Sequence, residues 1–120
     1  MHEVSNVTWT SSERGVIDGR GQAWWQMPLV GYLMHAENRP RLLRVQKSTD
    51  ILVENLLLNN PPFWATKFHD VRRLEIRWVG INARRTAAHG HPLIDLTAFN
   101  TDGFDISGQH IWIHDCEIVR

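Results

Sequence analysis

The sequence predicts an all-β fold, a parallel β-helix with about five coils stacked along one axis. Two observations support this prediction. No long stretch keeps the 3.6-residue apolar period of a helix, and β-branched residues dominate the apolar segments. In addition, one pattern recurs three times, with apolar residues at positions 1, 3, 6 and 8 of each segment. The three segments contain Ile51, Val53, Leu56 and Leu58, then Leu74, Ile76, Val79 and Ile81, and finally Ile111, Ile113, Cys116 and Ile118.

Each segment is interpreted as two short strands joined by a bend. The steps from position 1 to 3 and from 6 to 8 follow the alternation of a β-strand, whereas the three-residue step between them changes the facing of the side chains. The bends are predicted at Glu54-Asn55, Arg77-Trp78 and His114-Asp115. Cys116 takes the same place in its segment as Val79, so it is predicted to be a core thiol that behaves as a small hydrophobe.

The spacing of the three segments also locates an insertion. The first two segments lie 23 residues apart and the next two 37, which equals one period plus a 14-residue insertion between Arg84 and Phe99. Its glycine, proline and small residues are typical of a loop. Because the insertions of solenoids collect on one face, which is often the binding face, this loop is a candidate part of a site. The best helix candidate is a short stretch within 24–34, interrupted by Pro28 and Gly31.

Length, charge and cysteine content exclude several classes of protein. A chain of 120 residues forms one domain at most, here residues 1–120. The balance of 13 basic and 13 acidic side chains argues against a nucleic-acid partner. The single Cys116 excludes an intrachain disulfide and a multi-cysteine zinc site. We expect no membrane span, since no apolar run approaches about 20 residues, and no signal peptide is visible after Met1.

The most informative stretch runs from Asn100 to Asp105, Asn-Thr-Asp-Gly-Phe-Asp. It places two carboxylates three residues apart, beside a glycine and just ahead of an alternating strand. Carboxylates presented by a rigid strand are what the cleavage of a glycosidic bond needs. Alone, however, Asn-Thr-Asp-Gly is most often a turn. Strand alternation would also direct Asp102 and Asp105 to opposite faces unless the backbone bends.

Four segments together give the chain a resemblance to a known family. It resembles family 28 of the glycoside hydrolases, the polygalacturonases and their pectin-degrading relatives. The matching segments occur in the family's order and cover nearly the whole chain. They are Gly15 to Gly21 followed by Trp24-Trp25, Arg39-Pro40-Arg41-Leu42-Leu43, Asn60-Pro61-Pro62-Phe63-Trp64, and Asn100-Thr101-Asp102-Gly103-Phe104-Asp105.

This resemblance implies a fold and an activity. The implied fold is a right-handed, single-stranded parallel β-helix of the pectin-lyase-like type, here truncated. The implied activity is the hydrolysis of α-1,4-galacturonosyl bonds in pectin or polygalacturonate by an inverting mechanism with two carboxyl groups. No cofactor or metal is implied, the partner is the polysaccharide galacturonan, and the implied location is extracellular.

The resemblance also implies roles for individual residues. Asp102 is the implied catalytic residue, which orients and deprotonates the attacking water. Asp105 is expected to support the site from behind. Asn100, Arg84 and Arg85 are candidate contacts to substrate, although Asn100 is expected more often to bond within a turn or an asparagine stack.

The chain also departs from the family pattern. The adjacent aspartates that supply the general acid, the Gly-His-Gly segment and the Arg-Ile-Lys segment are all missing from these 120 residues. We therefore expect this chain to hold part of an active site and to be inactive by itself. One alternative is an inactive β-helix fragment that at most binds oligogalacturonide, and another is an unrelated solenoid such as an adhesin. Coils without terminal caps are expected to associate end to end.

Aromatic and basic side chains offer further candidates. Six tryptophans suggest a set that stacks on sugars, but those in or beside the strand patterns are predicted to be wall or core residues. These are Trp9, Trp64, Trp78 and Trp112. Arginines suit a polyuronate because they grip carboxylates with two hydrogen bonds. Those available near the predicted strands are Arg72, Arg73 and Arg77.

Overall fold

The architecture is a stack of parallel β-coils. A computed structural model describes residues 1–25, 39–83 and 103–119. All of their strand pairings are parallel and belong to one six-stranded sheet. The predicted all-β parallel β-helix is confirmed, with four coils in the described residues. The elements are β1 (Ser5–Trp9), β2 (Gly15–Asp18), α1 (Gln22–Trp25), β3 (Leu43–Asn59), β4 (Thr66–Asn82), β5 (Phe104–His114) and β6 (Glu117–Val119).

The register between coils follows the apolar pattern of the sequence. Strand β3 pairs with β4 so that Ile51 lies beside Leu74, and Leu74 lies in turn beside Ile111 of β5. The remaining apolar positions of the three segments align in the same way. These stacked side chains form the core, and in β3 and β4 they are at most 5% exposed. Like positions of neighbouring coils therefore bury one another.

The bends are made by residues in the left-handed backbone region. Asn55, Trp78 and Asp115 have φ angles of 55°, 52° and 52°, at the three places where bends are predicted. A tryptophan with positive φ is sterically disfavoured, so the surrounding ladder must hold it there. A second set of bends, at Asp50, Arg73 and His110 with φ of 56° to 58°, had no sequence prediction. The 17-residue strands β3 and β4 therefore change direction while their ladder continues.

Strands β1 and β2 form a coil that the three-segment pattern misses. Val7 pairs with Ile51, and Ile17 pairs with Leu58, so this coil lies in register with the next. The inserted residues 10–14 replace the two-residue bend of the other coils. The Ser11 hydroxyl secures them, because Oγ donates to the Asn55 carbonyl at 2.9 Å and accepts from the backbone N–H of Gly15 at 2.7 Å.

Two further predictions on single elements can be compared with the structure. Cys116 directly precedes β6, whose Glu117 pairs with Gly80, which fits the predicted place of Cys116 opposite Val79. Cys116 is half-buried and packs against the core, and its thiol donates to the Ile76 carbonyl at 3.7 Å. The helix candidate is present as the single turn α1, which begins at Gln22, and residues 26–34 lie outside the described part. In the described residues, no helix has the length and hydrophobicity to cross a membrane.

The last described coil has an open edge. Strand β5 is at the end of the strand order, and Ile113 and Ile118 of this coil are 40% and 49% exposed. In the coils below, the equivalent Ile76 and Ile81 are each 1% exposed. End-to-end association through such an edge stays a prediction.

Truncating one side chain of the stacked core should destabilise the protein strongly. Ile76 is 1% exposed and lies between Val53 and Ile113 of the adjacent coils. We expect Ile76→Ala to lower the free energy of unfolding by about 2–5 kcal/mol, measured by urea denaturation, because it leaves a cavity. The control Val16→Ala, at a position 59% exposed, should change it by less than about 0.5 kcal/mol. Equal effects of the two substitutions would contradict the stacked core.

Candidate functional site

The proposed catalytic residue lies at the border of the described structure. Asp102 itself, with Asn100, Arg84 and Arg85, falls outside the described residues, as does the insertion between Arg84 and Phe99. The roles predicted for these residues stay predictions. The described chain resumes at Gly103, directly after Asp102, so the surroundings of the site can be built from that point.

Gly103 is held against the start of the neighbouring coil. The backbone N–H of Thr66 donates to the Gly103 carbonyl at 3.2 Å, and the Thr66 hydroxyl donates to the same oxygen at 2.9 Å. Thr66 is 2% exposed, so both bonds are shielded from water. A Cβ added to Gly103 would lie 2.8 Å from Cδ1 of Ile118, so a larger residue here would require the Ile118 side chain to shift. The residue after Asp102 is therefore fixed by the core and by strand β4.

Asp105 pairs with a lysine on the neighbouring coil. It lies beside Lys67 in the ladder, and Lys67 Nζ donates to Asp105 Oδ2 at 3.0 Å. Both side chains are partly exposed, at 26% for Lys67 and 41% for Asp105. This contact is compatible with the supporting role expected of Asp105, which stays a prediction. It places a cation beside the residue that follows Asp102 by three positions in sequence.

A cluster of cations and aromatic rings adjoins this ion pair. Lys67 Nζ lies 4.5 Å from the centre of the Trp64 ring, and the Arg41 guanidinium lies 4.7 Å from the same ring. Phe63 stacks on Trp64 with 4.9 Å between ring centres. Within the described ranges, the buried Nε atom of Arg41 and the buried Nε1 of Trp64 have no hydrogen-bond acceptor. We call these residues, Arg41, Phe63, Trp64 and Lys67, the Arg41 cluster.

The sequence contains a signal for this cluster in the register of the adjacent coils. Leu43 pairs with Thr66, and Arg41 and Trp64 each stand two residues before those partners. Two of the family-like segments are therefore equivalent positions of adjacent coils. Aligning the coils by register, and not only by apolar pattern, brings Arg41 and Trp64 together.

A second group of charges lies on a different wall, beyond two bends of the chain. Arg77 Nε donates to Glu54 at 2.8 Å, and Arg77 Nη1 donates to Glu75 at 3.2 Å. His114 contacts Glu75 through Nε2 at 2.9 Å and Asp115 through Nδ1 at 2.7 Å. Both ring nitrogens of His114 thus face carboxylate oxygens, which suits the imidazolium, since only that form donates from both.

The arginines and tryptophans of this wall can be compared with the places predicted for them. Arg73 forms an ion pair with Asp50, with Nη2 donating to Oδ2 at 2.8 Å. Arg77 forms ion pairs with two glutamates, Glu54 and Glu75. Neither guanidinium is therefore free to bind a substrate carboxylate. Trp78 and Trp112 lie on the outer surface, 50% and 61% exposed. Of the two places predicted for these tryptophans, wall or core, both residues take the wall, since their positions on the ladder point outward.

In the described parts of the chain, no three His, Cys, Asp or Glu side chains are arranged to bind a metal ion.

Removing the Thr66 hydroxyl should loosen the start of β5. We expect Thr66→Val, which is similar in shape, to lower the free energy of unfolding by about 1 kcal/mol, because a buried hydrogen bond to the Gly103 carbonyl is lost. The control is Thr66→Ser, which retains a hydroxyl group that can donate to the Gly103 carbonyl. Urea denaturation measures both variants, and a larger loss in the serine variant than in the valine variant would contradict the role of this bond.

The charges around His114 predict a pH dependence of stability. The hydrogen bond with Glu75, and then that with Asp115, raises the pKa of His114 above its ordinary value of 6.5. Because the folded pKa is raised, the stabilisation is complete below about pH 6.5 and is lost as the pH rises through the folded pKa. NMR titration of the imidazole should give a midpoint above 6.5, and Glu75→Gln should lower it. A midpoint at or below 6.5 in the unmodified chain would show that these bonds do not form.

Comparison with known proteins assigns the chain to a family. The family model for "Glycosyl hydrolases family 28" matches residues 1–120. A "Probable polygalacturonase" of Vitis vinifera is 34% identical over 110 residues, which is 91% of this chain and 20% of that protein. A "Probable exopolygalacturonase C" of Aspergillus niger is 31% identical over 121 residues, 94% of this chain and 24% of that protein.

A solved structure supports the same fold. The crystal structure of a Parabacteroides merdae protein superposes with a TM-score of 0.57 at 14% identity, covering 95% of this chain and 59% of that chain. The chain spans about a fifth to a quarter of the length of the curated relatives it matches. The resemblance of the four sequence segments is confirmed by the match over the whole chain, and the chain belongs to family 28 of the glycosyl hydrolases.

Proposed function

We propose that this chain is part of an inverting hydrolase of α-1,4-galacturonosyl bonds in pectin or polygalacturonate. The observation that carries the proposal is the family match together with the Asn-Thr-Asp-Gly segment at 100–103. Relatives named as polygalacturonases supply the substrate class. Because pectin is a polymer of cell walls, we propose an extracellular site of action.

Asp102 supplies the carboxylate that activates water in this proposal. Inversion requires a carboxylate on one side of the sugar and a protonated carboxyl group on the other, roughly 6.5–9.5 Å apart so that water fits between. Asp102 stands next to Gly103, whose carbonyl is fixed by two hydrogen bonds from Thr66. A carboxylate attached to such a fixed point can be held in one position relative to the scissile bond, which general base catalysis needs.

The Arg41 cluster suits the chemistry of a polyuronate. Lys67 and Arg41 bring two cations to the wall from which β5 starts, and Trp64 offers an aromatic surface between them. A galacturonate unit carries a carboxylate on an otherwise sugar-like ring, so it suits a neighbouring cation and aromatic ring. In the described residues, Arg41 makes no ion pair with a carboxylate, so its guanidinium can bind a substrate carboxylate. Arg73 and Arg77 differ, because both already pair with carboxylates of the protein.

This chain supplies one side of the chemistry. The 120 residues contain no pair of adjacent aspartates, from which the general acid would come. Without the acid, the leaving oxygen departs without a proton, and that assistance is typically worth about 10²–10⁴-fold in rate. We therefore propose that the 120-residue chain alone does not hydrolyse pectin, and that the acid belongs to sequence encoded beyond codon 120.

The test is a substitution in the longest product of the gene that contains this sequence. Asp102→Asn should lower the release of reducing sugar from polygalacturonate by about 10²–10⁴-fold, because the water loses its base. The matched control is Asp105→Asn, which removes a carboxylate three residues away in sequence. Because Asp105 already pairs with Lys67, this substitution should lower the rate of hydrolysis far less. NMR of the first product should show the inverted anomer.

Two results would contradict the proposal. Full activity in the Asp102→Asn variant would remove Asp102 from the mechanism. Retention of the anomeric configuration would exclude the inverting arrangement of carboxyl groups. Nucleotide sequence downstream of codon 120 gives an independent check, since adjacent aspartates are expected there.

A further inference from the structure

Two exposed indoles mark a wall of the stack that the proposed hydrolysis does not use. Trp112 is 61% exposed and lies beside Glu75 in the ladder, and Glu75 lies beside Leu52 of the next coil. The wall lies between the bend column of Asp50, Arg73 and His110 and that of Asn55, Trp78 and Asp115, and we call it the Trp112 face. The strand segment with Lys67 and Asp105 lies on the other side of the first of these columns, so the Trp112 face is separate from that ion pair.

The indole of Trp112 is held in place before any ligand arrives. One face of its ring stacks on His114, with 4.1 Å between ring centres and an angle of 24° between planes. His114 is fixed in turn by its contacts to Glu75 and Asp115. An aromatic ring that is both exposed and held in place loses little conformational freedom when a ligand binds to it.

Trp112 also lines a shallow recess of about 280 Å³. His114, on which the indole stacks, does not line this recess. Typical small-molecule clefts measure roughly 300–1,000 Å³, and a recess at the low end of that range suits a single sugar ring. Apolar groups of Leu52 and Trp112 meet polar groups around it. The polar residues that line it are Asp50, Arg73, Glu75 and His110.

The charges of this face disfavour a polyuronate. Asp50, Glu54, Glu75 and Asp115 give four carboxylates, against the two guanidiniums of Arg73 and Arg77. Among the described strand segments of this face, His110 and His114 are the remaining titratable groups. The charges of all these groups together sum to zero at most, even with both imidazoles protonated. Each guanidinium is bound to a carboxylate, and none is free to receive the carboxylate of a uronic acid. Exposed carboxylate oxygens can instead accept hydrogen bonds from sugar hydroxyls.

We propose that the Trp112 face is a second carbohydrate-binding site, which holds one uncharged pyranose ring of a polysaccharide. The C–H groups on one side of a galactose-type ring would stack on the free face of the Trp112 indole. Its hydroxyls would donate to Glu75 and Asp50 at the rim. This site goes beyond the proposed hydrolysis, because it lies on a different wall and selects an uncharged sugar. By binding neutral polysaccharide chains, it would hold the protein near the substrate of the hydrolysis.

The test compares two α-1,4-linked ligands, galactotetraose and tetragalacturonate, that differ only at C6. Galactotetraose carries CH₂OH there, and tetragalacturonate carries a carboxylate. In ¹H–¹⁵N NMR spectra of the ¹⁵N-labelled 120-residue chain, galactotetraose should shift the Trp112 indole N–H signal with a Kd on the order of 1 mM. Tetragalacturonate should shift it at least roughly tenfold more weakly, because of the excess of carboxylates.

Variants separate this site from the other exposed indole. Trp112→Ala should abolish the saturable shifts of the amide signals around the recess, and Trp112→Phe should retain part of the binding. Trp78→Ala is the matched control, since Trp78 is 50% exposed but does not line this recess, and it should leave galactotetraose binding unchanged. Unchanged dispersion of the amide signals shows that each variant is folded.

Three outcomes would overturn the inference. These are no shift with galactotetraose, equal or tighter binding of tetragalacturonate at Trp112, and binding that survives Trp112→Ala. Saturable binding of a protein from cell-wall extract at Trp112, with no sugar effect, would assign the face to a protein partner and would likewise overturn it. Hydrolysis through Asp102 is measured on the full gene product, so either result stands without the other.

Discussion

The contact between like apolar positions of adjacent coils is the interaction on which the rest of this structure depends. Ile51, Leu74 and Ile111 occupy one column, and no single coil could bury its own share of that column. Burial therefore requires the coils to stay in register around the whole turn. Since a bend in one coil must coincide with a bend in the next, positive φ angles recur at equivalent positions, even where the residue is Trp78.

The same register positions the polar side chains on the outside of the stack. Lys67 meets Asp105 because they are partners across a ladder, although 38 residues separate them in sequence. The column of Glu54, Arg77 and His114 arises in the same way and forms a network on another wall. A solenoid with one core thus presents separate outer walls, one with the Lys67–Asp105 pair and the Arg41 cluster, and one with a fixed indole and an excess of carboxylates.

The sequence was sufficient to predict the fold class, the three apolar segments and their bends, because Ile, Leu and Val at fixed spacing reflect burial directly. It did not reveal the coil of β1 and β2, since the loop held by Ser11 breaks the spacing between Trp9 and Gly15. Nor did it reveal the bends at Asp50 and Arg73, where polar residues give no burial signal. The Arg41 cluster and the exposure of Trp112 depend on contacts between coils, which a pattern within one coil cannot show. The family-like segments located Asp102 in sequence, but its geometry lies outside the described residues.

The central claim is that the coils stack in parallel and in register across the long gap between β4 and β5. The most direct test is a solution NMR measurement of contacts between protons of Leu74, Ile111 and their neighbours in the ladder. The account predicts contacts between amide and α protons in the pattern of parallel strands, with Ile76 likewise opposite Ile113. Strong contacts between α protons of facing residues, as antiparallel strands give, or no contact across this pair, would contradict it.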